Sequence, residues 1–177
     1  MVRQFSIAFA LLLSALSAAA QGVWLDVPYI HQQREGCGSA SLAMVMQYWE
    51  HKQGREATTA SDEAIIQRAL FSPKAHGIYA SAMTKYLEAN GYRAFAVAGD
   101  FSQLRHHLEK GRPLIVALNP GAGLPLHYVV VVGLDPAQSV VLVNDPEVRK
   151  LLKLDQDEFK KQWKAAGFWT LLAVPAA

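Results

Sequence analysis

The chain has 177 residues, 51% of them hydrophobic, and its 17 basic and 15 acidic side chains leave a formal charge of +2. That length fits one domain with a full core, and with no basic cluster or stripe it excludes a nucleic-acid binder. A single cysteine excludes an internal disulfide, so Cys37 needs another explanation.

Arg3 is followed by an apolar stretch from Phe5 to Leu16 and then by Ser17-Ala18-Ala19-Ala20. This is the three-part pattern of a secretory signal, cleaved just before Gln21. The stretch is shorter than the roughly 20 residues a membrane span needs. The expectation is a signal peptide over residues 1–20 and a single domain over 21–177. The product is then exported, periplasmic or extracellular, with no stable membrane insertion after cleavage; the other reading of this segment is an uncleaved N-terminal anchor.

Val23 to Ile30 alternates around Pro28 and predicts an extended entry segment at an edge. A polar run, His31 to Gly36, leads to Cys37. From Ser39 to about Glu50 the composition predicts a helix apolar on most sides, hence a buried, central one. Two more helices are predicted, from Ser61 or Asp62 to about Phe71 and from Ile78 to Ala89, the second stopped by Asn90-Gly91. Tyr92 to Val97 reads as a strand. Asp100 caps a helix of Phe101 to Lys110, and Pro113 to Leu118 is a buried strand.

After a loop with Pro120, Gly121 and Gly123, two valine-dense strands follow, His127 to Leu134 and Val140 to Asn144. Asp155 and Glu158 form a capping-box-like start for a helix of Gln156 to Ala165. Phe168 to Val174 is the last strand. Helices first and strands later predict an α+β layout, with helices packed on a mostly antiparallel sheet.

Cys37 sits in Gly36-Cys37-Gly38-Ser39-Ala40, at the mouth of the central helix. Unpaired backbone N–H groups and the positive dipole end there favour thiolate over thiol. Small neighbours let a substrate backbone approach the sulfur. An inert core cysteine belongs inside an element, so the pattern points to a nucleophile.

A thiolate nucleophile needs an acid/base, usually a histidine oriented by a third group. His51, His106 and His107 sit in polar helix contexts and read as solvated. His31 and His76 lie in loops without an obvious orienting acid. His127 differs, because it begins an apolar strand directly after a loop. If the two valine-rich strands pair across residues 135–138, His127 faces Asp145 or Pro146, about 5 Å away. An odd loop count or a bulge brings His127 and Asp145 to one face. A carboxylate there fixes the imidazole tautomer; the other reading of Asp145 is a turn starter before Pro146. Asp135 lies at the far end of the hairpin. For the oxyanion, the Cys37 N–H is one donor and an upstream amide the other, with Gln32 and Gln33 both available by spacing.

The stretch Val27-Pro28-Tyr29-Ile30-His31-Gln32-Gln33, with Gly36-Cys37-Gly38-Ser39-Ala40-Ser41-Leu42-Ala43-Met44-Val45, resembles the nucleophile region of the bacteriocin-leader-processing cysteine peptidases, cysteine peptidase family thirty-nine. Leu126-His127-Tyr128-Val129-Val130-Val131-Val132-Gly133 resembles that family's histidine strand, and Val143-Asn144-Asp145-Pro146 its aspartate turn. The resemblance implies a papain-like fold and peptide-bond hydrolysis through a thioester. It implies Cys37, His127 and Asp145 as triad, Gln32 as oxyanion donor, and a peptide or protein as substrate. The expected member is a stand-alone exported one without transporter domains.

Two other readings share these residues. Acyl transfer to an amine uses the same Cys, His and Asp, and a non-catalytic module would hold extended peptides on the same fold. No cofactor motif is present, and one soft ligand without a Cys/His cluster argues against a metal site.

Overall fold

Side-chain caps start three helices where the sequence predicts them. In the computed structural model, which describes residues 21–121 and 123–176, the Asp62 carboxylate accepts from the Ile65 N–H at 3.0 Å, that of Asp100 from Gln103 at 2.9 Å, and that of Asp155 from Asp157 and Glu158 at 3.0 Å. The expected signal segment, residues 1–20, lies outside the described residues. Among those described, no helix is long and apolar enough to cross a membrane.

In chain order the elements are β1 (Val23–Trp24), α1 (Cys37–Lys52), α2 (Glu63–Leu70), α3 (Ala80–Ala89), β2 (Tyr92–Ala98), α4 (Phe101–Glu109), β3 (Leu114–Leu118), β4 (His127–Asp135), β5 (Val140–Asp145), β6 (Arg149–Asp155), α5 (Gln156–Ala165) and β7 (Trp169–Pro175). Every pairing described is antiparallel, in the order β2-β7-β3-β4-β5-β6, with β1 added at β4. This is the α+β layout that the order of elements predicts.

The central helix starts earlier than predicted, at Cys37 itself, and runs to Lys52. The strand β6 was not predicted at all. Its sequence, Arg-Lys-Leu-Leu-Lys-Leu-Asp, does not alternate cleanly, because Leu151 takes a left-handed φ of 52° and breaks the period of two. As an edge strand it is only partly buried: Leu152 and Leu154 pack against one core layer and Leu151 against the other.

Alternation along the inner strands sorts the core into two layers. Ile115, Ala117, Val130, Val132, Leu171 and Ala173 pack with Leu42, Ala43 and Met46 of α1 and with Met83 and Leu87 of α3. Val116, Val129, Val131, Val141 and Val143 pack with Leu104 and Leu108 of α4 and Phe159 and Trp163 of α5 on the other face. Each Val, Leu, Ile, Met or Phe among them, fully removed from water, contributes about 1.5–3 kcal/mol. The inner strands are therefore apolar on both sides, which explains their unbroken valine run.

A bulge interrupts the β4–β5 ladder. Near the turn Leu134 pairs with Val141 and Gly133 with Leu142, but beyond Val132 the register slips by one, so that Val131 pairs with Val143 and Val130 with Asn144. Carried one step further, that register sets Asp145 beside Val129, diagonal to His127 rather than facing it. An uninterrupted ladder would have set Asp145 opposite Val130, on the other side of the strand from His127.

Candidate active site

Cys37 is the first residue of α1, half-buried and free of any disulfide. The loop before it is tightly wound. Glu35 takes a left-handed φ of 54°, and a Cβ on Gly36 would lie 2.9 Å from the Gln33 carbonyl oxygen. Ser39 holds the helix mouth from within: its hydroxyl lies 2.9 Å from Gly36 O, 2.7 Å from Glu63 Oε1 and 2.8 Å from Gln67 Oε1, both on α2. Thus α2 anchors the turn that presents the sulfur, and the first N–H groups of α1 remain available around it.

His127 is the first residue of β4, paired in register with Leu118. Its Nε2 donates to Asp145 Oδ1 at 2.9 Å, with 20% of the His127 side chain and 11% of the Asp145 side chain exposed. The same carboxylate oxygen accepts the N–H groups of Glu147 at 2.9 Å and Val148 at 3.3 Å. The two readings of Asp145 from sequence, histidine partner and turn starter, are therefore both realised.

Nε2 being committed to Asp145, Nδ1 is left for Cys37. Burial pulls the His127 pKa down, but hydrogen bonds with Asp145 and Cys37 and the charges of both outweigh it and hold the pKa up at about 10. For Asp145, burial pushes the carboxyl up. The hydrogen bond and charge of His127, with the two backbone N–H groups, more than cancel this and keep it below the usual carboxylate range. Both shifts favour the charged forms, carboxylate and imidazolium, across this contact.

Of the two amides that spacing left open, Gln32 is half-buried and Gln33 exposed. The Gln32 side-chain Oε1 is enclosed and has no hydrogen-bond partner among the described residues. Its backbone N–H donates to Pro146 O at 2.9 Å, so the segment before Cys37 is tied to the turn that holds Asp145.

The other histidines divide differently from expectation. His51 and His106 are exposed, as read. His107 is not simply solvated: its Nδ1 is enclosed without a partner, and burial together with Arg112, His106 and Lys110 pushes its pKa down. Its ring turns toward the sheet because position 107 falls beside the buried Leu104 and Leu108 on α4. His76 does have an acid, Glu35, whose Oε1 lies 3.1 Å from Nδ1. His31 Nδ1 lies 3.3 Å from the Tyr29 hydroxyl.

Two contributors escaped the sequence reading. Asn144, fully buried, donates from Nδ2 to Val27 O at 3.1 Å and Pro28 O at 3.4 Å, while its Oδ1 accepts the Leu151 N–H at 3.0 Å. One amide thus ties β5, the entry segment and the left-handed turn of β6 together beside Asp145. Its signal was an amide in a strand whose neighbours are valines. Tyr29, whose hydroxyl lies 3.5 Å from Pro146 O, flanks the same turn. Burial and the Asp145 charge push its phenol pKa up.

An open cleft of about 620 Å³ adjoins the Cys37 loop, lined by Gln33, Arg34, Glu35, Gln67, Arg68, Phe71 and Pro73.

Comparison with solved structures finds the same fold in peptidase domains. A double glycine motif protease from an AMS/PCAT transporter, solved in complex with the leader peptide, is 22% identical with a TM-score of 0.66, over 87% of this chain and 95% of that one. A chain described as a C39-like peptidase from Bacillus anthracis is 20% identical with a TM-score of 0.66, over 89% and 99%. The peptidase domain of Streptococcus ComA, a bi-functional ABC transporter involved in a quorum sensing pathway, is 21% identical with a TM-score of 0.62, over 83% and 97%. No curated protein sequence matches the chain. Residues 24–170 match the Peptidase_C39 like family, and the expected resemblance is therefore met: the chain belongs to that family of peptidases.

Proposed function

We propose that the protein is an exported cysteine peptidase whose catalytic groups are Cys37, His127 and Asp145, with Gln32 as oxyanion donor. The observation that carries the reading is the 2.9 Å contact of His127 Nε2 with Asp145 Oδ1, made on an imidazole whose pKa the Cys37 sulfur also raises. The Cys37 thiolate attacks the peptide carbonyl carbon, forming a C–S bond. Charge moves to the carbonyl oxygen, toward the Cys37 N–H and the Gln32 amide. Collapse breaks the C–N bond as His127 protonates the leaving amine, leaving a thioester. Water, deprotonated by His127, then attacks the thioester, and the thiolate leaves with release of the acid. Asp145 keeps the imidazole oriented throughout and stabilises its cationic form.

The leader peptide held in complex by the AMS/PCAT neighbour supports a peptide rather than a small molecule as substrate. Incubation of a peptide pool with the purified chain, followed by mass spectrometry with and without an added amine, tests the reaction. New carboxyl termini that need Cys37 and His127 are expected in both conditions. Amide products formed only with the amine would instead favour acyl transfer, and full biological function in Cys37→Ala would favour a peptide-binding module. Amino-terminal sequencing of the exported protein tests cleavage before Gln21.

A further inference from the structure

The cleft beside the Cys37 loop carries an unbalanced charge. Arg34 and Arg68 both line it, the first in the loop before Cys37 and the second on α2. Both are exposed, and among the described residues neither has an ion-pair partner. Glu35 is the one carboxylate among the lining residues, and it is already engaged by His76 at 3.1 Å. Phe71 and Pro73 give the cleft an apolar side, while the amides of Gln33 and Gln67 supply neutral donors and acceptors.

The walls are also held in place. The Gln67 Nε2 donates to Arg34 O at 3.4 Å, and Gln67 Oε1 lies 2.8 Å from the Ser39 hydroxyl, two residues into α1. The cleft is thus braced against the helix that presents the sulfur. A guanidinium binds a carboxylate through two parallel N–H bonds, and two guanidinia around an apolar side chain select an anionic segment that also carries a hydrophobic residue.

We propose that this cleft is a substrate-recognition groove, in which Arg34 and Arg68 hold the carboxylates of an acidic, partly apolar peptide segment on one side of the bond presented to Cys37. The proposal builds on the peptidase reading given above. The partner is identified by charge complementarity: two unpaired cations, one carboxylate in contact with His76, and an aromatic ring.

Fluorescence anisotropy with labelled dodecapeptides tests it on the Cys37→Ala chain, which leaves the peptide intact. One probe alternates Glu and Leu, the second Gln and Leu, the third Lys and Leu. The Glu/Leu probe is expected to bind at least about tenfold more tightly than the Gln/Leu probe at low salt. The difference should shrink at about 0.5 M salt. It should vanish in Arg34→Ala/Arg68→Ala, with folding of that variant checked by its melting curve, and Arg68→Glu should turn the preference toward the Lys/Leu probe. Equal binding of the Glu and Gln probes, no binding of any probe, or a Glu preference that survives in the double variant overturns the groove. A separate arm mixes the wild-type chain with the same peptides. If neither these peptides nor the peptide pool is cut while the Glu preference holds, the peptidase reading falls and the cleft stands only as a binding site for acidic peptides.

Discussion

At the imidazole of His127 two opposing influences meet. Burial favours the neutral ring, while the neighbouring carboxylate and sulfur favour the cation, and the second influence wins, with a pKa near 10. Replacing Asp145 by Asn keeps the shape and removes the charge. The His127 pKa should then drop well below 10, read as a shift in the pH titration of its ring NMR signals. Cys37→Ala should lower it as well, since the sulfur acts in the same direction as the carboxylate. A titration that stayed near 10 in both variants would place the cause elsewhere. The proposed donor Gln32, in the loop before Cys37, and the partner Asp145, at the end of β5, are joined by the backbone bond from Gln32 N–H to Pro146 O. Their spacing is therefore set by main chain rather than by flexible side chains.

At the level of elements, two positions bear the geometry around this pair. Asn144 satisfies three backbone groups from a fully buried site. Asn144→Ala strands those groups without water and should cost about 2–3 kcal/mol in urea unfolding. Gly133 admits β1 against β4: a Cβ there would lie 2.5 Å from Val23 O and 2.9 Å from the Trp24 Cβ. Gly133→Ala should lower stability by about 1–3 kcal/mol through displacement of β1, with a smaller effect on the His127 titration than Asn144→Ala. Legibility in the sequence follows the same division. Asp62, Asp100 and Asp155 announced their helices because capping is local chemistry. Cys37 and His127 stood out because each carries a reactive group where an apolar or small residue would serve packing better. The strand Arg149–Asp155 was hidden by the left-handed Leu151, and the bulge at Val132 has no local signature beyond the glycine next to it. Both depend on how strands meet, which no single stretch of chain records.

For the molecule as a whole, the pH dependence of stability follows from the contact between His127 at the start of β4 and Asp145 at the end of β5. The raised pKa of His127 means that its contribution is fully present below the unfolded value of about 6.5 and is lost as pH rises through about 10. Asp145, held below its usual range, contributes above the unfolded carboxylate pKa and loses that contribution as pH falls through its lowered value. Thermal melts should therefore fall between pH 6.5 and 10, and His127→Gln should flatten that slope. The two core layers, one on each face of the sheet, do not titrate and set the level on which this change rides.

The slip at Val132 has a consequence for how the chain can vary in length. Because alignment near His127 is fixed on the far side of the bulge, by Val131 with Val143 and Val130 with Asn144, the distal turn after Asp135 is insulated from the paired groups. Residues gained or lost there need not move them. Deleting Val132 would straighten the ribbon and keep those same partners, at the expense of one interior valine. Deleting a residue between Val143 and Asp145 has no such slack to draw on, and would swing the carboxylate to the wrong surface of the sheet.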